Sequence, residues 1–239
     1  MKLTHCQKKI KSVASPRKGI FLQRFFKTGK GQYGYGDKFL GITVPVIRQI
    51  AKEFMDLKLD DVVKLLKSIW HEERLLALIM LTMRYEQADR MGRVKIYKTY
   101  FSNLRFVNNW DLVDATTPNV VGRHMFEVLG LKKSRPLLTK LARSKILWER
   151  RIAVLATFYF LRQKHFAETL RLADLLLNDK EDLMHKAVGW MLREVGKRDE
   201  KVLKAFLKKR YAKMPRTMLR YSIEKFSKVL RQKYLSGLV

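Results

Sequence analysis

The sequence predicts an all-α protein made of stacked helical repeats, and three observations predict it. Apolar residues recur at three- and four-residue spacing through most segments; Leu75, Leu76, Ile79, Met80 and Met83 share one helical stripe. Only five prolines and twelve glycines punctuate the 239 residues, and alternating strand patterns are nearly absent. The four tryptophans stand at 70, 110, 148 and 190, with spacings of 40, 38 and 42 residues. Tandem helix pairs of the HEAT and armadillo type repeat every 40–47 residues or so. Such pairs stack into a curved solenoid whose concave face forms a long groove.

In chain order, the first predicted helix covers about 17–28. The glycine- and tyrosine-rich stretch Gly29 to Gly41, with Tyr33, Tyr35, Asp37 and Phe39, reads as a loop crossing onto the repeat stack. Further helices are predicted over 46–56, 60–68, 92–105, 118–129, 135–143, 148–163, 167–177, 182–196, 199–213 and 216–234. Pro45, Pro118, Pro136 and Pro215 each fit a first helical turn, where a missing N–H costs nothing. Each tryptophan opens or sits inside a long helix, in WHEER, WDLVD, WERRI and WMLRE. Gly189, just before Trp190, costs about 1 kcal/mol against alanine in a helix interior, so close packing of a helix or ligand must offset it. The expected organisation is a single helical-repeat domain over 1–239.

Composition narrows the partner. Fifty-one Lys and Arg face 22 Asp and Glu, a formal charge of +29. An excess of that size points to polyanions, nucleic acid before an anionic membrane surface. The excess is uneven. Residues 1–36 hold nine basic side chains and no acid, and 197–239 hold fourteen against three acids. Two basic ends on a curved stack would clamp a phosphate backbone in a salt-sensitive manner. With 47% apolar residues the chain buries a true core, which excludes a disordered basic tail. No apolar run approaches the 18 or so residues of a spanning helix, so no membrane association is expected. Cys6 is the sole cysteine, so neither an intrachain disulfide nor a cysteine-based metal site is expected, and a cytoplasmic location is.

Several motifs fail on inspection. Gly29, Gly31 and Gly34 match GxGxxG, but a helix precedes them and the next helix starts too far downstream for dinucleotide binding. Histidines 5, 71, 124, 165 and 185 lack metal-ligand spacing and read as surface or helix-packing residues. There is no HxE with PCxxC, which removes zinc deaminase chemistry.

Three segments carry more. Trp110 and Asp114 are four apart and share a helical face, an aromatic surface beside a carboxylate that suits a cationic ligand; a core tryptophan with Asp114 or Asp111 as a helix cap fits the same spacing. Arg151 lies three residues from Trp148, where its planar fork would hold a phosphate or its stem would cover the core. Gly189-Trp190 suggests a tryptophan at a surface of close backbone approach.

Four stretches together resemble the AlkD family of bacterial DNA alkylation repair glycosylases, built of HEAT-like repeats. They are Tyr35-Gly36-Asp37-Lys38-Phe39-Leu40-Gly41-Ile42-Thr43-Val44-Pro45-Val46-Ile47-Arg48, Trp110-Asp111-Leu112-Val113-Asp114, Trp148-Glu149-Arg150-Arg151 and Lys186-Ala187-Val188-Gly189-Trp190-Met191-Leu192-Arg193-Glu194. The resemblance spans about 20 to 215. It implies a monofunctional glycosylase removing cationic N3- and N7-alkylated purines from duplex DNA, with Asp114 as the catalytic carboxylate. It also implies Trp110 and Trp190 flanking the lesion, Arg151 on a phosphate, and Arg48 and Arg193 as further DNA contacts. No cofactor, metal or lysine nucleophile is implied, and a monomer is expected. Some proteins of this fold bind DNA without catalysis, so a non-enzymatic binder of distorted or branched DNA stands as the alternative. RNA or ribosome binding is favoured by charge alone.

Overall fold

A computed structural model describes residues 2–239. Among these residues the secondary structure is helical apart from one isolated bridge between Lys38 and Trp70, so the all-α helical-repeat prediction holds. No helix among them is long and apolar enough to cross a membrane.

The chain packs as two compact units, the first ending at Thr116 and the second running Thr117–Val239. The first holds α1 (Leu3–Ser12), α2 (Pro16–Phe25), α3 (Val44–Glu53), α4 (Leu59–Leu66), α5 (His71–Gln87), α6 (Arg90–Ser102) and most of α7 (Trp110–Thr117). The second holds α8 (Gly130–Ala142), α9 (Leu147–Arg162), α10 (Ala167–Leu175), α11 (Asp182–Arg198), α12 (Glu200–Lys208), α13 (Arg216–Ser222) and α14 (Lys228–Ser236). In the first unit α5 packs against α3, α4 and α6, and its residues 71–81 are all buried. In the second, α9 and α11 form the spine, with α8 and α10 on α9 and α12 and α13 on α11.

Repetition is visible in the helix starts. Helices α5, α7, α9 and α11 begin at 71, 110, 147 and 182, intervals of 39, 37 and 35 residues. The tryptophans mark this period imperfectly: Trp70 precedes its helix, Trp110 and Trp148 are in the first turn, and Trp190 is two turns inside α11. A better marker is a local bonding pattern. The side chains of Ser68, Ser144 and Asp179 each accept the backbone N–H two residues on, at Trp70, Ile146 and Glu181. Their carbonyls each bond the side chain six residues on, at Arg74, Arg150 and His185. Each turn thus satisfies polar groups that would otherwise be orphaned where the helix begins. Helix α7 departs from the pattern: Val107 and Val113 stand at the matching positions, and the Asn109 side chain accepts the Trp110 N–H instead.

One proline assignment is corrected. Pro45 does lie in the first turn of α3, and Pro215 sits at the N-cap of α13. Pro136, however, lies inside α8, which starts six residues earlier at Gly130. Pro118 does open a helical turn, though a π-helical one, and the predicted 118–129 is helical. The turn, Pro118–Gly122, follows α7 directly, with a second over Met125–Leu129. Pro118 has no N–H to donate to the carbonyl four residues back, so the bonding frame slips to five residues. The Arg123 N–H accordingly reaches the Pro118 carbonyl. Helix α1 has no counterpart among the predicted helices, the predicted 199–213 ends at Lys208, and 216–234 is two helices, α13 and α14.

Two of the glycine-dependent contacts join helices of the second unit. A Cβ on Gly122 would stand 2.2 Å from the Ala156 carbonyl oxygen of α9. One on Gly189 would stand 2.6 Å from both the Met218 carbonyl oxygen and the Tyr221 Cβ of α13. The close neighbour inferred from Gly189 is therefore a helix.

Candidate functional site

In the first unit, Trp110 opens α7 and Asp114 follows one turn later, both half-buried. The indole is not bare. Phe26 stacks on it at 5.1 Å between centroids, and Phe25 meets it edge-on at 6.1 Å. These two residues end α2, so α2 and α7 are joined by an aromatic seam. Arg48 is exposed on α3.

Beneath the seam lies a buried ionic chain that the sequence reading passed over. His71 has its Nδ1 3.2 Å from Asp37 Oδ2 and its Nε2 2.7 Å from Asp111 Oδ2. Asp37 also receives Arg74 Nη2 at 2.6 Å and Asn109 Nδ2 at 3.0 Å. Its burial opposes ionisation, but the bonds from His71, Arg74 and Asn109 prevail and hold its carboxyl below the usual range. For His71, burial also opposes charge. The Asp111 carboxylate and the hydrogen bonds to Asp111 and Asp37 outweigh it, so the pKa is raised despite Arg74. With a carboxylate at each ring nitrogen, the imidazolium is the form that donates at both. Phe39 stacks on the ring at 4.4 Å.

The adjoining Glu72 is also buried. Its carboxylate accepts the N–H groups of Leu40, Gly41 and Ile42 at 2.8, 2.7 and 3.2 Å. The His71 N–H reaches the Lys38 carbonyl. The loop of residues 29–41 is thus clamped onto the start of α5, as the sequence reading expected of a loop crossing onto the stack. The signal that could have revealed this hub was His71-Glu72-Glu73-Arg74 itself, four charged or polar residues opening a helix whose next seven residues, Leu75 to Leu81, are all apolar. For His71 the histidine reading holds in that the ring packs helices together, which it does through ion pairs.

In the second unit, Arg151 and Trp190 lie on α9 and α11, which pack together. Arg151 is 5% exposed and donates from Nη1 to the Leu183 carbonyl at 2.6 Å, so its fork ties α9 to α11. Arg150 grips Asp179, Nε to Oδ2 at 2.7 Å. Trp190 is half-buried against Phe158 at 5.6 Å. The guanidinium of Arg162 lies over the same Phe158 ring at 4.7 Å and that of Arg198 at 5.7 Å. This aromatic patch with two exposed arginines was not anticipated. Arg193 is engaged by Glu224.

Comparison with known proteins places the chain. The family model described as DNA alkylation repair enzyme matches residues 6–226. A solved structure described as a predicted DNA alkylation repair enzyme from Enterococcus faecalis superposes with a TM-score of 0.69 at 15% identity, covering 90% of this chain and 97% of that one. At that identity the likeness speaks for the fold. No curated protein matches the sequence. The family match spans nearly the whole chain, and the protein belongs to the DNA alkylation repair enzyme family.

Proposed function

We propose that the protein is a monofunctional DNA glycosylase within that repair role, hydrolysing the N-glycosidic bond of cationic N3- or N7-alkylated purines, 3-methyladenine and 7-methylguanine, in duplex DNA. The observation that carries the reading is the pairing of Trp110 and Asp114 one turn apart on α7, with the indole braced by Phe26.

Alkylation makes the purine a cation and hence a good leaving group, and its departure leaves oxocarbenium-like charge on the deoxyribose. A carboxylate fixed by a helix stabilises that charge without reorganising during the reaction. Asp114 fills this role and orients the attacking water. Trp110 and Trp190 contact the sugar and backbone by CH–π and cation–π interactions. Arg151 is assigned to the phosphate, with Arg48 and Arg193 as outlying DNA contacts. No lysine nucleophile enters, so the product is an abasic site in an uncut strand. The excess of 29 positive charges supports binding to DNA of any sequence. The whole chain acts as one glycosylase domain, monomeric and cytoplasmic.

Base release from 7-methylguanine DNA, revealed as heat- or alkali-labile sites, tests the reading. Asp114→Asn should slow release by about 100-fold or more. Equal rates for wild type and variant would remove the carboxylate role.

One observation favours a second reading, a non-catalytic binder of distorted or branched DNA. Arg151 is buried with a backbone carbonyl, which diverts it from a phosphate. That reading expects tight, salt-sensitive binding with no base release by the wild type.

A further inference from the structure

The second unit carries a hollow of about 430 Å³ between α13 and α14, and arginines dominate its walls. Arg216 and Arg220 stand one turn apart on α13 and share a face; Arg231 and Leu235 do the same on α14. The two faces are tied where Arg216 Nη1 donates to the Leu235 carbonyl at 2.7 Å. Tyr221 and Glu224 lie in the same lining.

These arginines differ from their neighbours. Most arginines of the second unit pair with a carboxylate, as Arg123, Arg171 and Arg210 do. Arg220 and Arg231 are exposed and have no hydrogen bond or ion pair among the described residues. Arg216 gives one N–H to a carbonyl and has no carboxylate partner. The one acid in the lining, Glu224, is already held by Arg193 and Lys225, which lie outside it. Three guanidinium groups therefore share one hollow with no counter-charge left to them. Like charges one turn apart on a helix repel, so Arg216 and Arg220 weaken α13 slightly by standing together. An anion between them reverses the sign of that interaction.

The donors select the anion. Each guanidinium is a planar fork of N–H groups that matches a pair of oxygens on a carboxylate or a phosphate. A carboxylate satisfies one such fork. A phosphate group spreads its oxygens around a tetrahedron and meets several forks from different directions. We propose that the hollow between α13 and α14 is a phosphate-binding site, with Arg216, Arg220 and Arg231 holding the phosphate oxygens. Two sources supply that chemistry, a phosphodiester of bound DNA and a free phosphate ester. The hollow adjoins the stretch of α11 that bears Trp190 and Arg193: Tyr221 packs against Gly189, and Glu224 pairs with Arg193. None of the three arginines is among the residues assigned above to DNA or to hydrolysis. The site stands whether or not the protein releases bases.

The test uses the full chain and two probes, inorganic phosphate and lesion-free duplex DNA. Wild type is compared with Arg220→Ala, Arg231→Ala and Arg143→Ala. Arg143 is exposed after α8 and does not line the hollow, so its variant removes the same charge elsewhere. All three positions are exposed, and folding is not at stake. Calorimetry at constant ionic strength, set with chloride, should show phosphate binding that each hollow variant weakens by about three- to tenfold. Arg143→Ala should change it by less than about twofold. The DNA probe separates the sources. A backbone phosphate in the site lowers the slope of log affinity against log salt by about one in each hollow variant, and by less in Arg143→Ala. A free phosphate ester as the occupant leaves the hollow variants equal to Arg143→Ala on DNA, with only their phosphate binding reduced. Hollow variants that match Arg143→Ala with both probes overturn the proposal, because the arginines then act only through net charge.

Discussion

The starts of α5 and α9 share one scaffold and put it to different uses. In both, a serine side chain accepts the N–H two residues on, and an arginine six residues on returns to the serine carbonyl. In both, that arginine also grips an aspartate from elsewhere in the unit, Asp37 for Arg74 and Asp179 for Arg150. Around Arg74, however, His71, Asp37 and Asp111 form a buried chain of alternating charge. Around Arg150 there is a single pair, in which Asp179 is as buried as Asp37 and Arg150 is partly open to solvent. The repeat therefore supplies the geometry of a helix start, and the residues beside it decide whether that start also becomes an ionic hub. In the first unit the hub ends on Asp111, the residue after Trp110 and three before Asp114. The α5 hub thus bears on the orientation of α7.

The largest difference should appear when each aspartate is removed. Asp37→Ala takes from Arg74, 4% exposed, its carboxylate partner and leaves it only the Ser68 carbonyl, and it leaves His71, 2% exposed, with Asp111 alone; loss of one partner from a buried ionic group costs about 3–5 kcal/mol. Asp179→Ala leaves Arg150, which water reaches and two carbonyls still hold, so about 1–3 kcal/mol is expected. Urea denaturation of the two variants measures the contrast. Equal losses would show that the alternating-charge chain adds nothing beyond one pair.

A second effect separates the hubs by pH. His71 has a raised pKa in the folded state, so its stabilising contribution is complete below the unfolded value of 6.5 and fades as pH rises through the higher folded value. Asp37 works oppositely, with a lowered pKa: its contribution is present above 3.8 and fades as pH falls through the folded value beneath it. Melting temperature should therefore decline from above pH 6.5 upward in the wild type and more shallowly in His71→Gln. If the two curves are parallel there, His71 is not an imidazolium in the folded protein.

How much of this was legible in the sequence follows from the range of the interactions. The helices after α1, the repeat period, and the clamped loop depend on local spacing, and the sequence reading reached them. So does the packing at Gly189. The hub escaped because Asp37, His71 and Asp111 are more than thirty residues apart in succession, and no local pattern pairs them. Arg151 escaped for a related reason. A basic residue near a tryptophan looks available to a ligand, and only α11 reveals the carbonyl that claims it. Pro118 signalled a helical turn but not its type, because proline is as compatible with a π-helical slip as with an α-helical first turn.

Smaller effects test packing in the second unit. Gly189→Ala brings a methyl to 2.6 Å from the α13 backbone, and such overpacking costs about 1–3 kcal/mol, offset by about 1 kcal/mol of helix propensity. Thermal denaturation should show a net loss. A gain would mean that α13 yields easily, and that Trp190 sits on a softer support than Trp110 does.

The smallest stability effects, and the most informative for DNA, come from the outlying arginines. Arg48 is exposed on α3, whereas Arg193 is held by Glu224 in a surface pair worth about 1 kcal/mol or less. Neither alanine variant should unfold the protein. If both arginines meet phosphates, each loss should reduce the slope of log affinity against log salt by about one. The pairing predicts an inequality, because Arg193 must first leave Glu224. Arg48→Ala should therefore weaken duplex binding more than Arg193→Ala, and Glu224→Gln should strengthen it by releasing Arg193. Affinities measured across a salt series decide the matter. A Glu224→Gln variant that binds no better than wild type would assign Arg193 to holding α11 in place rather than to DNA.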